Sequence, residues 1–210
     1  MDRTTIVGAA LELLDEVGLD GLTTRRLAAK LEVRSPALYW HFRNKQELLD
    51  EMARAVQARQ DLGPPHDDEP WRDWLARRAR ERRRVLLSRR DGARLVAGTS
   101  AGPEIAIAFE RELAAMVRQG FTPVRAMRAI TALGAFVTGF VLEEQARRAR
   151  TEQPDLPPAT PSALATETPT LMTAIREGGS PDGAAAFEDG LVLLLDGIAA
   201  GLRSEDRLPE

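Results

Sequence analysis

The sequence predicts an all-α protein of about nine or ten helices, with an N-terminal three-helix helix-turn-helix domain and a larger helical C-terminal domain. Leu, Ala, Arg and Glu dominate the composition, and all four are strong helix formers. Apolar residues recur at three- and four-residue spacing along most of the chain, which is the period of an amphipathic helix. No segment alternates apolar and polar residues as a half-buried strand does.

The composition limits the classes of function. The 210 residues are enough for one or two domains, and 43% of them are hydrophobic. Because the formal net charge is -3, any contact with nucleic acid must come from a local basic patch. The absence of cysteine excludes disulfides, thiolate catalysis and cysteine-ligated zinc. The chain has only two histidines and no recognisable phosphate loop or acid–base pair, so an enzyme is not expected.

Hydropathy gives no indication of a membrane protein. No uninterrupted apolar run approaches the roughly 20 residues that span a bilayer. Acidic residues interrupt the N-terminal segment where a signal peptide would remain apolar. We therefore expect a cytoplasmic protein with no membrane partner.

The first two helices have recognisable boundaries. A threonine at position 4 or 5 can cap the first helix, and Gly18 ends it. After a turn at 19–22, a threonine at position 23 or 24 caps a second helix that continues to about Leu31.

A serine–proline pair at positions 35 and 36 predicts the start of a third helix, because proline is well suited to a first helical turn. Leu38 and Phe42 are four residues apart and are expected to face inward. Tyr39 and Trp40 cannot lie on that same face, so at least part of this aromatic cluster must point outward.

A fourth helix, capped by Asn44, precedes a break in the chain. The break at 61–70 contains adjacent prolines and several acids, a composition that does not continue a helix. The predicted domains are therefore residues 1–45 for the helix-turn-helix, 46–60 for a connecting helix and 61–210 for the C-terminal domain.

Six further helices are expected in the C-terminal domain from caps and apolar stripes. They begin at Trp71, after Asp91, at Pro103, at Pro123, at Pro169 and just before Phe187. The fourth of them is long, ending near Arg150, and a proline-rich loop is expected over 151–169.

The segment 23–45 carries six cations and one acid, together with four consecutive aromatic or imidazole side chains. In a helix-turn-helix the second helix enters the major groove, where polar and cationic side chains read base edges. The groove-facing candidates are Arg25, Ser35, Ala37, Tyr39, Trp40 and His41. Thr24 and Lys45 are suited to phosphate. The alternative, in which Tyr39, Trp40 and Phe42 form the core of a small helical domain, stays open at this point.

Two motifs add a family resemblance to this interpretation. T-x-x-x-L-A-x-x-L-x-V at 23–33 and L-Y-x-H-F-x-N-K at 38–45 resemble the DNA-binding domain of the TetR family of bacterial repressors. LLSRRDGARLVAGT and TALGAFVTGFVLEEQ, at 86–99 and 131–145, resemble the regulatory domain of its tetracycline-repressor branch. The resemblance implies an all-helical homodimer whose two heads reach successive major grooves about 34–36 Å apart on a palindromic operator.

The resemblance also assigns roles to individual positions. It places base reading on Arg25, Ser35, Pro36, Ala37, Tyr39, Trp40 and His41, and phosphate contacts on Thr24, Tyr39 and Lys45. Ser35 and Ala37 are smaller than the side chains of the tetracycline-repressor branch, and Glu32 stands where a glycine is usual. The operator is therefore expected to differ from the tetracycline operator.

In the regulatory half, the resemblance implies a small-molecule site that has lost its metal. Val96 stands where the branch has a metal-binding histidine, and an apolar side chain cannot bind a hard cation. Thr99 and Glu143 match positions that contact the metal through water, and Arg78 and Arg82 fall on two drug-contact positions. We therefore expect no metal, no cofactor and an inducer other than magnesium–tetracycline.

A pocket is expected among the C-terminal helices, since apolar clefts with a few polar groups are the usual small-molecule sites. Its candidate lining residues are Val96, Thr99, Phe109, Leu113, Met116, Leu133 and Phe136. Each of them also fits an ordinary core position at helical spacing. The arginine-rich run 77–84 is either a solvated helix face or the place where Arg78 or Arg82 meets an anionic inducer.

The dimer surface is expected from residues 123–148 and 182–203, packed with the partner's copies as a four-helix bundle. Its candidate residues are Gly134, Phe140, Leu191, Leu194, Leu195 and Ile198. The expected partners are a double-stranded DNA operator, a second copy of the chain and an unidentified small-molecule inducer. The predicted function is a sequence-specific repressor released by that inducer; the alternative is a ligand-independent or activating DNA-binding regulator.

Overall fold

A computed structural model describes residues 1–60, 63–66, 68–98, 103–151, 167–179 and 183–205. Over these ranges the chain forms ten helices and no strand, which confirms the all-α prediction. The helices are α1 (Arg3–Gly21), α2 (Thr24–Lys30), α3 (Ser35–Leu38), α4 (Lys45–Gln57), α5 (Trp71–Leu87), α6 (Gly92–Ala97), α7 (Pro103–Arg118), α8 (Pro123–Thr151), α9 (Pro169–Gly178) and α10 (Ala184–Glu205). Most of the predicted proline-rich loop lies outside the described residues.

The chain divides into two compact units, residues 1–142 and 143–210. The first unit holds α1 to α7 and most of α8, and its core includes the fully buried Leu14, Met52 and Trp74. The second holds the end of α8 with α9 and α10, and it buries Phe187 and Leu191. The domain boundaries predicted near residues 45 and 60 both lie inside the first unit and stay predictions.

Helix α1 is capped two or three residues earlier than predicted. Asp2, and not one of the threonines, caps it, because Asp2 Oδ1 accepts from the Thr5 amide at 2.8 Å. The predicted break at Gly18 is confirmed: its φ of 72° interrupts the helical backbone. A Cβ added there would lie 3.0 Å from Asp91 Oδ2, so this position requires glycine for its backbone and for its close neighbour.

The turn between α2 and α3 is a Schellman motif. The Val33 amide donates to the Ala28 carbonyl at 3.0 Å, and the Glu32 amide donates to Ala29 at 3.1 Å. This motif places Glu32 in the left-handed region, with φ of 56°, where glycine is usual. Glu32, which replaces the glycine usual in the family, is therefore the one residue of this turn that must adopt a positive φ.

A polar network fixes the start of α5 after the break. Glu69 accepts from Arg77 Nε and Nη2, both at 2.9 Å, and from the His66 amide at 3.0 Å. Gln119, just after α7, donates to the Glu69 carbonyl at 3.0 Å and accepts from the Trp71 amide at 2.6 Å. The break is thereby tied to both α5 and α7.

The remaining helices begin close to their predicted starts. α6 follows Asp91, α7 begins at Pro103, α8 runs from Pro123 to Thr151 and α9 begins at Pro169. By length and composition, one described helix, Pro123–Arg150, could cross a membrane, a test that core helices of soluble proteins also pass.

Candidate nucleic-acid interface and regulatory core

The turn that follows α3 presents two aromatic residues to solvent. Trp40 is 88% exposed and Tyr39 is 55% exposed, whereas Leu38 and Phe42 are each 4% exposed. The predicted division of this segment into an inner and an outer face is therefore confirmed. A tryptophan that leaves nearly all of its surface in water contributes nothing to the core, so the pure-core interpretation fails for both outward rings.

The regular part of α3 is only four residues long, and turns continue the chain beyond it. The amides of His41 and Phe42 both donate to the Leu38 carbonyl at 3.0 Å. Tyr39, Trp40 and His41 consequently lie on a tight turn at the end of α3, anchored on either side by buried apolar side chains.

Helices α1 and α4 hold this turn in place. The Arg3 guanidinium lies 4.7 Å above the Phe42 ring, and its Nη2 pairs with Glu47 at 2.7 Å and Glu51 at 3.1 Å. Asn44 caps α4 as predicted, accepting from the Glu47 amide at 2.8 Å. Glu47 accepts in return from the Arg43 amide, and that hydrogen bond together with Arg3 lowers the pKa of Glu47.

The cations of this segment fall into two groups. Lys30 pairs with Glu16 at 2.8 Å and Glu12 at 3.3 Å, and Arg26 donates to the Gly21 carbonyl at 3.2 Å. The other four are exposed, and none of them forms a side-chain ion pair within the described residues: Arg25, Arg34, Arg43 and Lys45. These four exposed cations precede and follow the aromatic turn along the chain, and phosphate is a ligand that suits their charge.

The other predicted DNA-contacting residues lie on the same segment. Pro36 is exposed; Thr24, Ser35, Ala37 and His41 are half-buried. Sequence reasoning assigned no role to Arg34 and Arg43, although their charge and position in the segment were visible. Their roles, like those of the predicted residues, remain predictions.

A second set of contacts joins α1 to the turn before α6, and we call it the α1–α6 contact. Asp15 pairs with Arg89, and Asp20 accepts from both Nη atoms of Arg94 at 2.9 and 3.1 Å. Asp91 accepts from the Leu19 amide at 2.7 Å. Gln46 of α4 adds a hydrogen bond to the Gly98 carbonyl, at the end of α6.

The role predicted for Asp91 is corrected by this geometry. It precedes α6 as expected, but its side chain makes no capping hydrogen bond and its φ is 55°. The carboxylate instead accepts from α1, where Gly18 has broken the helix and freed the Leu19 amide. Spacing along the chain suggests a cap but cannot show a partner 72 residues away.

The regulatory core contains a polar cluster formed by α5, α7 and α8. Arg78 pairs with Glu112, whose side chain is 4% exposed, and its guanidinium lies 5.7 Å from the Trp74 ring. Arg82 Nη2 donates to Thr138 Oγ1 at 3.1 Å. Burial raises the pKa of Glu112 against the opposing effect of Arg78, and burial followed by repulsion from Arg78 lowers the pKa of Arg82.

Sequence reasoning missed Glu112 and Thr138. Glu112 is an acid four residues before the buried Met116, on the apolar face of α7. An acid in such a stripe is the signal that could have identified it, since buried carboxylates require a partner.

The predicted pocket residues are distributed over the same helices. Val96, Met116 and Leu133 are buried, at 8%, 0% and 2% exposure. Phe109, Leu113 and Phe136 are half-buried, and the Phe136 ring lies 5.8 Å from that of Phe140. Thr99 lies outside the described residues. Glu143 is exposed. Their participation in a ligand site remains a prediction.

Of the residues predicted for the dimer surface, Leu191 and Leu195 are buried within the single chain, at 0% and 3% exposure. Gly134, Phe140, Leu194 and Ile198 are half-buried. The large apolar residues that α10 exposes are Val192 at 46% and Leu193 at 73%, neither of which the sequence had singled out. The predicted apolar stripe of α10 therefore marks the face that packs in the core, and the exposed Leu193 lies beside that stripe.

Comparison with known proteins covers nearly the whole chain. Residues 6–52 match the family model for bacterial regulatory proteins of the tetR family. Residues 64–202 match the model for the tetracyclin repressor-like C-terminal domain. The first match includes α2, α3 and the exposed turn, and the second includes the polar cluster.

Two curated relatives are tetracycline repressor proteins from Escherichia coli. The class A protein from transposon 1721 is 43% identical over 207 residues, which is 95% of this chain and 91% of that protein. The class C protein is 43% identical over 202 residues, covering 94% of this chain and 90% of that protein.

Three solved structures are similar. A possible TetR family transcriptional regulator from Streptomyces coelicolor A3(2) has a TM-score of 0.79 and 39% identity, covering 95% of this chain and 99% of that one. Class A TetR with 5a,6-anhydrotetracycline and magnesium gives 0.74 and 38%, with coverage of 95% and 99%. BioQ with its double-stranded DNA operator gives 0.68 and 30%, with coverage of 95% and 99%.

Proposed function

The chain belongs to the TetR family of DNA-binding transcriptional regulators, and on this premise we propose that it is an inducible repressor. As a homodimer it binds a palindromic operator through two copies of the α2–α3 segment. A small molecule other than magnesium–tetracycline binds the C-terminal core and releases the DNA.

The observation that carries this proposal is the exposed aromatic turn at the end of α3. Tyr39 and Trp40 point outward while Leu38 and Phe42 anchor the turn from inside. Four exposed cations without side-chain ion pairs in the described residues precede and follow it along the chain. Outward aromatic and polar groups suit base edges, and the flanking cations suit the two phosphate backbones of a groove.

The α1–α6 contact supplies a route from the core to the DNA-binding segment. The pairs Asp15–Arg89 and Asp20–Arg94 bind α1 to the turn and helix next to it. Movement of α6 on ligand binding would therefore be transmitted to α1 and α4, and the spacing of the two heads would change. Such a shift is limited by the difference in the ligand's affinity for the two states.

The expected inducer differs from the ligand found with the class A protein. Class A TetR was solved with 5a,6-anhydrotetracycline and magnesium. Val96, where that branch carries a metal-binding histidine, is apolar and 8% exposed. Because an apolar side chain offers no ligand atom to Mg2+, we expect magnesium with tetracycline to leave the operator complex intact.

The deciding experiment is selection of bound DNA from a random pool, followed by gel-shift titration. A palindrome is expected, with half-sites about one helical turn apart. A selected site without two-fold symmetry would contradict dimeric recognition, and a complex that no small molecule releases would favour a ligand-independent regulator.

Two substitutions test the placement of the interface on the selected operator. We expect Tyr39→Ala and Lys45→Ala to weaken binding, by about 1–3 kcal/mol for a lost base contact. Lys45→Ala should also reduce the slope of log affinity against log salt by about 1, since it removes one phosphate contact. Arg118→Ala, which removes one positive charge from an exposed position on α7, is the control; unchanged affinity in both test variants would refute the placement.

A further inference from the structure

The polar cluster of the regulatory core contains more positive than negative charge. Arg78 and Arg82 lie one helical turn apart on α5, so their guanidinium groups share one face of that helix. Glu112 from α7 is paired with Arg78, and its side chain is 4% exposed. Thr138 from α8 is uncharged and accepts from Arg82. The cluster therefore contains two cations and one carboxylate, and that carboxylate is paired with Arg78.

Arg82 is the member of the cluster whose charge is not balanced. Its Nη2 donates to the Thr138 hydroxyl, and its buried Nε has no hydrogen-bond partner among the described residues. The charged group that acts on it is Arg78, a second cation, and not an acid. The Arg82 side chain is half-buried, and a buried Nε–H without a partner is costly for the fold because its desolvation is not compensated.

We propose that the inducer is a monoanionic organic acid whose carboxylate is bound by Arg82, with the Thr138 hydroxyl beside it. This inference rests on the proposed function and names the chemical class of its ligand. The planar guanidinium matches a carboxylate through two parallel N–H donors, and the unpartnered Nε supplies one of them. The excess of one positive charge is neutralised by one negative charge.

The rest of the cluster restricts the ligand further. Glu112 is held by Arg78, and a second ligand charge near it would be repelled. Trp74 against Arg78 and the buried Met116, one turn beyond Glu112, make this region of the core apolar. An acid with an apolar aromatic or aliphatic body is therefore favoured over a phosphate or a dicarboxylate.

The test compares carboxylates with their own amides. A panel of benzoate, 1-naphthoate, 2-naphthoate and decanoate, each paired with its primary amide, is titrated into the purified full-length protein by calorimetry at fixed ionic strength. We expect at least one acid to bind about tenfold or more tightly than its amide, since a charge-assisted hydrogen-bonded pair is lost in the amide. Equal binding of every acid and amide, or binding of neither, would overturn the proposal.

Three variants assign the effect to Arg82. Arg82→Gln should abolish the preference for the acid, and Arg82→Lys should restore part of it, because it keeps the charge but loses the planar fork. Arg84→Gln removes the same charge from the same helix at a side chain that is 65% exposed, and it should change nothing. Equal losses in Arg82→Gln and Arg84→Gln would indicate bulk attraction and overturn the site.

Glu112→Gln gives a result that loss of folding cannot imitate. Removing this carboxylate leaves two unneutralised cations, so acids should bind more tightly than to the wild type, while the amides should not. Circular dichroism of each variant reports whether the fold is kept. Weaker acid binding in a folded Glu112→Gln variant would contradict the proposed charge balance.

The outcome is separable from that of the proposed function. Calorimetry measures the site without DNA, whereas the selected operator measures repression and release. If an acid binds through Arg82 but leaves the operator complex intact, the result would support the anion site and contradict inducible release. If only neutral compounds release the operator, the result would support inducible repression and contradict the anion site.

Discussion

At the scale of single residues, the backbone conformation of Glu32 is unfavourable for a residue that carries a Cβ atom. Its φ of 56° lies in the left-handed region, which the Schellman motif at the end of α2 requires. The side chain is exposed and forms no ion pair in the described part of the chain. A residue without Cβ would adopt this conformation without strain.

We therefore expect Glu32→Gly to raise the free energy of unfolding by about 1 kcal/mol, the relief of left-handed strain less the entropy that glycine adds to the unfolded chain. Urea titration measures it. Val33→Gly, one position later, removes a half-buried side chain at ordinary φ and should lower the same quantity. Equal destabilisation by both substitutions would show that the turn is not strained.

Residue chemistry also decided how far the sequence could predict the site. The outward position of Tyr39 and Trp40 followed from the four-residue spacing of Leu38 and Phe42, because local helical geometry fixes that relation. The balance of charge around Arg82 did not follow, since it depends on Glu112 and Thr138 from two other helices. Contacts between distant segments have no period along the chain.

At the scale of elements, the network at the start of α5 predicts a response to acid. Hydrogen bonds from Arg77, and then from the His66 amide, hold the pKa of Glu69 at about 2, below its ordinary value of 4.5. A depressed pKa stabilises the folded state above the unfolded value and loses this contribution as pH falls from about 4.5 towards 2.

Glu69→Gln should therefore remove part of the fall in unfolding free energy between about pH 4.5 and pH 2, and lower stability at pH 7. Chemical denaturation at several pH values measures both effects. Glu32→Gln neutralises an exposed acid without an ion pair among the described residues and serves as the control. The idea fails if wild type and Glu69→Gln lose stability in parallel through this range.

Most element boundaries were predictable because their signals are local. Pro103, Pro123 and Pro169 begin helices, and Gly18 breaks one, since each fixes the backbone at its own position. The cap of α1 was misplaced because Asp2 competes with nearby threonines, and Asp91 was misassigned because its partner is in α1. The local sequence identifies candidate capping residues, and contacts in the folded chain determine which of them cap a helix.

At the scale of the whole molecule, the exposed Leu193 of α10 predicts self-association. Homodimers are typical of the family, and a leucine 73% exposed beside the half-exposed Val192 presents apolar surface that a partner could cover. Burial of apolar area contributes about 25 cal/mol per Å2, so a charge placed at its centre should oppose assembly strongly.

Leu193→Glu is therefore expected to shift the protein from dimer to monomer in size-exclusion chromatography with light scattering at micromolar concentration. Operator binding should fall with it, because one head reads only half of a palindrome. Ile107→Glu makes the same change at a residue 62% exposed on α7, outside the predicted dimer segments, and should remain dimeric. A Leu193→Glu dimer of unchanged mass would place the interface elsewhere.

The α1–α6 contact has a consequence for how operator affinity varies with salt. Its Asp20 side chain is 84% exposed and that of Arg94 is 44% exposed, so this surface ion pair weakens as the salt concentration rises. Added salt would then weaken two interactions: the contacts with DNA phosphates, and the α1–α6 contact that positions each DNA-binding domain. The number of counterions inferred from such a titration would exceed the number of phosphates that the protein touches, and Asp20→Asn would bring the two numbers together.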